Sequence, residues 1–118
     1  MVIDWPEKSV LKTNILVQLG RGRSASKTGR HLAALAGCDP SSSSDHFRSL
    51  ILELIDGGYP IASSNSKPKG YFMAVAPEEV KEYSKSLRDR AKMIFIRRRG
   101  FLRASRVILE PTQMAMSL

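Results

Sequence analysis

Residues 57–74, Gly-Gly-Tyr-Pro-Ile-Ala-Ser-Ser-Asn-Ser-Lys-Pro-Lys-Gly-Tyr-Phe-Met-Ala, set two short apolar runs on either side of a polar, basic loop, directly behind a helical pattern. Tyr59–Ala62 and Tyr71–Val75 are rich in aromatic and aliphatic residues, and the Gly, Pro, Asn and Ser between them are turn formers. The segment therefore predicts a β-hairpin. Lys67 and Lys69 fall at its tip, where a cation can touch a phosphate backbone.

The segments before the hairpin read as helices. Val10, Leu11, Ile15, Leu16 and Leu19 recur at helical spacing from Glu7 to Leu19, and Gly20 with Gly22 supplies a stop. Arg21-Gly-Arg-Ser-Ala-Ser reads as a loop, with Ser24 or Ser26 as the N-cap of a second helix that runs to Ala36 and ends at Gly37. Asp39-Pro-Ser-Ser-Ser-Ser-Asp then offers two helix starts: Asp39 with Pro40 at the first helical position, or Ser42 with Asp45 three residues on. After either start, Phe47, Leu50, Ile51, Leu54 and Ile55 give the strongest helical signal in the chain, closed by Gly57-Gly58.

Behind the hairpin, Pro77-Glu-Glu opens a long helix whose first-turn carboxylates complement the helix dipole. Val80, Tyr83, Leu87, Ala91 and Ile94 mark one face through about Arg99; Gly100 reads as an interruption, with a further amphipathic turn or two before Pro111. The expected organisation is a first domain over 1–76, a basic helical extension over 77–110 and a flexible tail over 111–118.

The 118 residues suit a single compact domain with a modest core, and 42% hydrophobic residues argue against wholesale disorder. No run reaches the length of a membrane span, and Met-Val-Ile-Asp-Trp-Pro lacks the basic and apolar regions of a signal peptide, so a cytoplasmic location without membrane attachment is expected. Cys38 stands alone and reads as a small buried apolar side chain; with only His31 and His46 beside it, neither a disulfide nor a metal site is expected, and no cofactor motif is present. The formal charge of +8 favours a polyanionic partner. Its distribution is uneven: from Arg88 to Arg106 eight basic residues stand against Asp89 alone, a net +7.

Helix, helix, turn, amphipathic helix, Gly-Tyr and hairpin is the order of the winged helix-turn-helix fold. Leu32-Ala-Ala-Leu-Ala-Gly37 resembles the end of that family's second helix, and Phe47, Ile51 and Leu54 resemble the buried positions of its recognition helix. Gly58-Tyr59-Pro60-Ile61 with Lys69-Gly70-Tyr71-Phe72 is similar to the strand, wing and strand of biotin-repressor-type DNA-binding domains and small phage-encoded relatives. Gly37 and Gly58 are about four residues further apart than in that family, the extra residues falling in Asp39–Ser42. The expected fold class is thus mainly α with a small β-hairpin, a winged helix-turn-helix followed by a long C-terminal basic helix.

The resemblance, over roughly residues 7–75, implies double-stranded DNA as partner, contacted by a recognition helix over 42–56 and a wing over 64–70; the charge distribution adds the basic helix over 88–106. The resemblance assigns Ser43, Ser44, Arg48 and Ser49 to the groove-facing helix. Asn65, Lys67 and Lys69 would touch phosphate or the minor groove, Lys27 and Arg30 the opposite strand's backbone, and Arg97, Arg98, Arg99 and Arg103 would reach DNA beside the wing. The residues themselves leave other readings open. A serine run before a helix serves as cap chemistry, lysines guard a strand edge, and Trp5, Tyr59, Phe72 and Phe101 read as packing residues. The long helix also suits a homodimer seam or a protein partner, making the alternative a protein-interaction module with nonspecific nucleic-acid contact. With no Ser-His-Asp signature, P-loop or ligand cluster, and with Glu78-Glu79 explained by helix-start electrostatics, no enzyme activity is expected.

Overall fold

The computed structural model describes residues 5–109, so the tail expected over 111–118 lies outside the described residues. Four helices and one two-stranded antiparallel sheet follow in the order α1 (Lys8–Gln18), α2 (Gly29–Ala36), α3 (Ser44–Asp56), β1 (Ile61–Ser64), β2 (Gly70–Met73) and α4 (Pro77–Ala104). Single 3₁₀ turns sit at Arg23–Ala25 and Ser105–Val107. The chain is mainly helical with a small β-hairpin, as the sequence predicts. It divides into two compact units, one ending at Tyr83 and the other starting at Ser84.

In the first unit the apolar stripes of α1, α2 and α3 converge. Leu11, Ile15 and Leu19 meet Leu32, Ala36 and Cys38, and α3 adds Phe47, Leu50, Ile51 and Leu54; Ile15, Leu32 and Leu50 are fully buried. Each such aliphatic side chain contributes roughly 2 kcal/mol on leaving water. Packing, not propensity, therefore holds α2, because eight residues are too few for an isolated helix. Asn14 adds a polar tie, its Nδ2 donating to the free carbonyl of Ala36 at 2.9 Å. Burial lifts the Cys38 thiol above its ordinary pKa, in keeping with its expected apolar role.

The ends of the helices correct several expected boundaries. Neither Ser24 nor Ser26 caps α2: the chain first makes the 3₁₀ turn and an extended bridge at Lys27, so that Thr28 Oγ accepts the cap bond from His31 N at 3.2 Å. Neither proposed start of α3 is used either. Asp39 instead closes a tight turn, its carboxylate accepting from Ser41 N at 2.9 Å and its carbonyl from Ser42 N at 3.0 Å, and Ser43 caps α3 by accepting from His46 N at 3.2 Å. At the far end, Gly58 N donates to Ile55 O and Tyr59 N to Leu54 O, the paired bonds of a Schellman stop, with Gly58 at φ 105°. Tyr59 is thereby spent on ending α3, and β1 begins two residues later than its apolar run suggests.

Strand β2 has partners on both edges. On one side it pairs with β1 in the register Ile61↔Met73, Ala62↔Phe72, Ser63↔Tyr71 and Ser64↔Gly70. On the other, Lys27 and Tyr71 exchange backbone bonds of 3.0 and 2.7 Å, and Met73 bonds Gly20 and Gly22 at 2.8 Å each. Alternation places Ile61, Tyr71 and Met73 against the helical core, and Phe72 and Ala62 are buried on the opposite face. Of the four aromatic residues expected to pack, only Phe72 is buried; Trp5, Tyr59 and Phe101 are exposed because none lies on a core-facing stripe.

Gly100 does not interrupt α4, which runs unbroken to Ala104. One glycine costs a helix about 1 kcal/mol, and the arginines, leucine and alanine on either side favour helix enough to carry it through. In the second unit, residues 84–104 of α4 have no buried side chain.

The closest backbone approach is at Gly70, where φ is 127° and an added Cβ would stand 2.0 Å from the Lys27 carbonyl oxygen. Gly70→Ala is expected to cost at least about 2 kcal/mol of folding stability through lost pairing and backbone strain. Denaturant unfolding measures this, and an unchanged midpoint would show that the Lys27–Tyr71 junction is not structurally required.

Candidate nucleic-acid interface

The turn between α2 and α3 borders an open concavity lined by Arg30, Ala33, Asp39, Ser43, Ser44 and Arg48, with Phe47 and Tyr71 on its wall. The two rings meet edge to face, centroids 5.8 Å apart, and the backbone of Gly29 packs close to both. The start of α2 is thereby held beside the start of α3, so side chains 18 positions apart in sequence, Arg30 and Arg48, border one surface.

Around this concavity and the first turns of α3 the side chains are chemically unequal, and Ser49 lies outside the lining. Ser43 Oγ is committed to the α3 cap, and Ser49 Oγ donates to the His46 carbonyl at 2.7 Å. Ser44 is exposed on the first turn of α3. Arg48 pairs with Asp45 at 3.0 Å, with side chains 64% and 85% exposed. A solvated pair of this kind is worth at most about 1 kcal/mol, so Arg48 exchanges Asp45 for a stronger acceptor at little cost. Arg30 is exposed.

Lys27 lies elsewhere. Its backbone joins β2, and its ammonium donates to the Gln18 carbonyl at 2.6 Å, closing the end of α1. Asn65, Lys67 and Lys69 occupy the exposed loop of the hairpin. Arg97, Arg98, Arg99 and Arg103 are exposed along the second unit's helix. The structure thus gathers Arg30, Ser43, Ser44 and Arg48 at one concavity and Asn65, Lys67 and Lys69 on one loop.

Two organising residues act through long-range contacts that no local sequence signature marks. The Arg23 guanidinium donates from Nε to Ser64 Oγ at 3.3 Å, from Nη2 to Ser66 Oγ, and from Nη2 to the Lys67 carbonyl at 3.4 Å. It fixes the base and the middle of the loop that carries the lysines. Glu79 holds Arg23 in turn: Oε2 accepts from Arg23 N at 2.7 Å, while Oε1 accepts from Val75 N at 2.9 Å and Ala76 N at 3.2 Å. The second set is the reach-back half of a capping box, made by the third residue of a helix whose cap position, Ala76, has no side-chain acceptor of its own. Position alone predicts the dipole effect of Glu79 but not this bond to a residue 56 positions earlier.

No group of three His, Cys, Asp or Glu among the described residues is placed to hold a metal, and no described helix is long and apolar enough to cross a membrane.

The three backbone donors, that of Val75 foremost, hold the Glu79 carboxyl below its ordinary pKa of 4.5. A depressed folded-state pKa contributes stability that is complete above the unfolded value and disappears as pH falls through the folded one. Glu79→Gln is therefore expected to lower the melting temperature at neutral pH, with the gap to the parent closing as the buffer drops below about pH 4. Parallel melting curves from pH 7 to 3 would place the effect in shape and not in charge. Comparison of the chain with protein-family models, curated proteins and solved structures finds no match to any of the three.

Proposed function

We propose that this chain is a non-enzymatic double-stranded DNA-binding protein built as a winged helix-turn-helix, acting as a regulator of transcription or replication in a bacterium or phage. The observation that carries the reading is the joint placement of Arg30, Ser43, Ser44 and Arg48 around the start of α3, next in sequence to a hairpin whose loop presents Lys67 and Lys69. The bridges of Arg21 and Lys27 to β2 support it as well, because they give the hairpin backbone partners on its second edge and a fixed base.

In this reading α3 enters the major groove by its N-terminal half. Arg48 is its long cationic reader, leaving Asp45 for a guanine edge or a phosphate, and Ser44 contacts the flanking backbone. Ser43 and Ser49 act mainly through the geometry of α3, because their hydroxyls already serve the helix. Lys67 and Lys69 meet phosphate, with the loop held by Arg23. Arg97, Arg98, Arg99 and Arg103 add a sequence-independent electrostatic contribution.

Titration of random-sequence duplex over a range of salt concentrations, followed by selection for enriched sites, tests the reading directly. Binding that vanishes with salt and enriches no site would defeat the regulator proposal, since counterion release carries no sequence information. Lys67→Glu with Lys69→Glu is expected to weaken binding to every duplex alike and to reduce the salt slope by about two, one per lost phosphate contact. Arg48→Ala is expected to relax discrimination at one position of the selected site by about 1–3 kcal/mol.

A further inference from the structure

Residues 84–109 carry nine basic residues against Asp89 alone, a net +8 equal to the formal charge of the whole chain. Because α4 passes through Gly100 without a break, Leu87, Ile94 and Phe101 stand two helical turns apart from one another on one side of a single helix. They are 43%, 57% and 69% exposed. On the same side Ser84 precedes Leu87 and Ala91 and Arg98 fall between the large residues, three or four positions away in each case, which completes a seam of alternating small or polar and large apolar positions. Arg88, Arg90 and Arg97 border the seam on its two sides, and none of them is in an ion pair among the described residues.

We infer that this seam takes a helix of another protein, apolar along its centre and acidic along its edges. The large side chains at seven-residue intervals, with Ala91 and then Arg98 between them, accept the knobs of a facing helix, and Arg98 with the flanking arginines calls for Glu or Asp opposite them. Three other occupants fit less well. A second copy would set Arg98 against Arg98 in a parallel pair, or Arg90 against Arg97 in an antiparallel one, under a mutual charge of +8 on each side. A lipid surface would have to receive Ser84 and Arg98 along the middle of the apolar face. Nucleic acid supplies the negative charge but nothing for Leu87, Ile94 and Phe101 to pack on. The inference stands independently of groove recognition by the first unit and shares with the DNA reading only the sequence-independent charge of Arg97 and Arg98.

The test uses the full chain and a synthetic four-heptad peptide with Leu at its central positions and Glu at its flanking ones, followed by fluorescence anisotropy at physiological salt. The peptide is expected to bind. Ile94→Gln with Phe101→Gln, both at exposed positions of the helix, should weaken it by about tenfold or more while far-UV circular dichroism stays unchanged. Arg90→Glu with Arg97→Glu should abolish binding of the Glu-flanked peptide and create binding of the same peptide with Lys at its flanks. Absence of binding by the Glu-flanked peptide would overturn the inference, as would equal binding by the apolar-face variant, which would reduce it to bare charge attraction. Self-association of the chain alone in sedimentation, abolished by Ile94→Gln with Phe101→Gln, would replace the partner helix with a second copy. Tighter binding to phosphatidylserine-containing vesicles than to the peptide, lost in the same variant, would assign the face to lipid.

Discussion

The first unit depends on β2 being bonded along both of its edges. A two-stranded hairpin alone is marginal in water, and this one is fixed because Lys27 and Tyr71 exchange backbone hydrogen bonds while Met73 bonds Gly20 and Gly22. Those bridges hold Arg21 and Lys27 beside β2 on either side of the 3₁₀ turn, which delays α2 until its cap at Thr28 and brings Gly29 against Tyr71 and Phe47. The relative placement of the α2 and α3 starts, and so the concavity between them, follows from a strand pairing far from it in sequence.

Polar chemistry at the helix ends is nearly all local and nearly all committed. Hydroxyls from Thr28 and Ser43 cap α2 and α3, Asp39 closes the turn between them, and Lys27 occupies the last carbonyl of α1. Besides Ser44 and Asn65, what is exposed at the candidate interface is cationic: Arg30, Arg48, the two loop lysines and the arginines of the second unit. Each of these is exposed, so none costs folding stability to keep, and each is available for an anion at the expense of water or, for Arg48, of a weak surface pair.

The parts of this architecture that obey a period or a stop signal were legible in the sequence. Phe47, Leu50, Ile51 and Leu54 line one helix face and are buried, and the Gly57-Gly58 stop ends α3 as expected. Expected and observed boundaries differ where two local rules compete. Four consecutive serines and an aspartate all cap helices well, and only the closure of the Asp39 turn selects Ser43. Gly100 resembled a stop, yet its cost is small against a run of strong helix formers. Trp5, Tyr59 and Phe101 are hydrophobic but off the stripes, which composition alone does not show. In the candidate interface, the concavity-facing arginines could be named from sequence, whereas Arg23 and Glu79 could not, since their importance lies in contacts 41 to 56 positions away.

Arg23 uses both of its ends at once, the backbone N–H held by Glu79 at the first turn of α4 and the guanidinium held by the serines and carbonyl of the hairpin loop. One residue is thus a fulcrum shared by a loop and a helix start. Any force that displaces the loop pulls on the Glu79 carboxylate, and because that carboxylate also holds Val75 and Ala76, the strain passes into the residues that join the hairpin to α4. The hairpin loop and the first turn of α4 are therefore joined through one residue, so that the amides of Val75 and Ala76 share their acceptor with the residue that holds the loop.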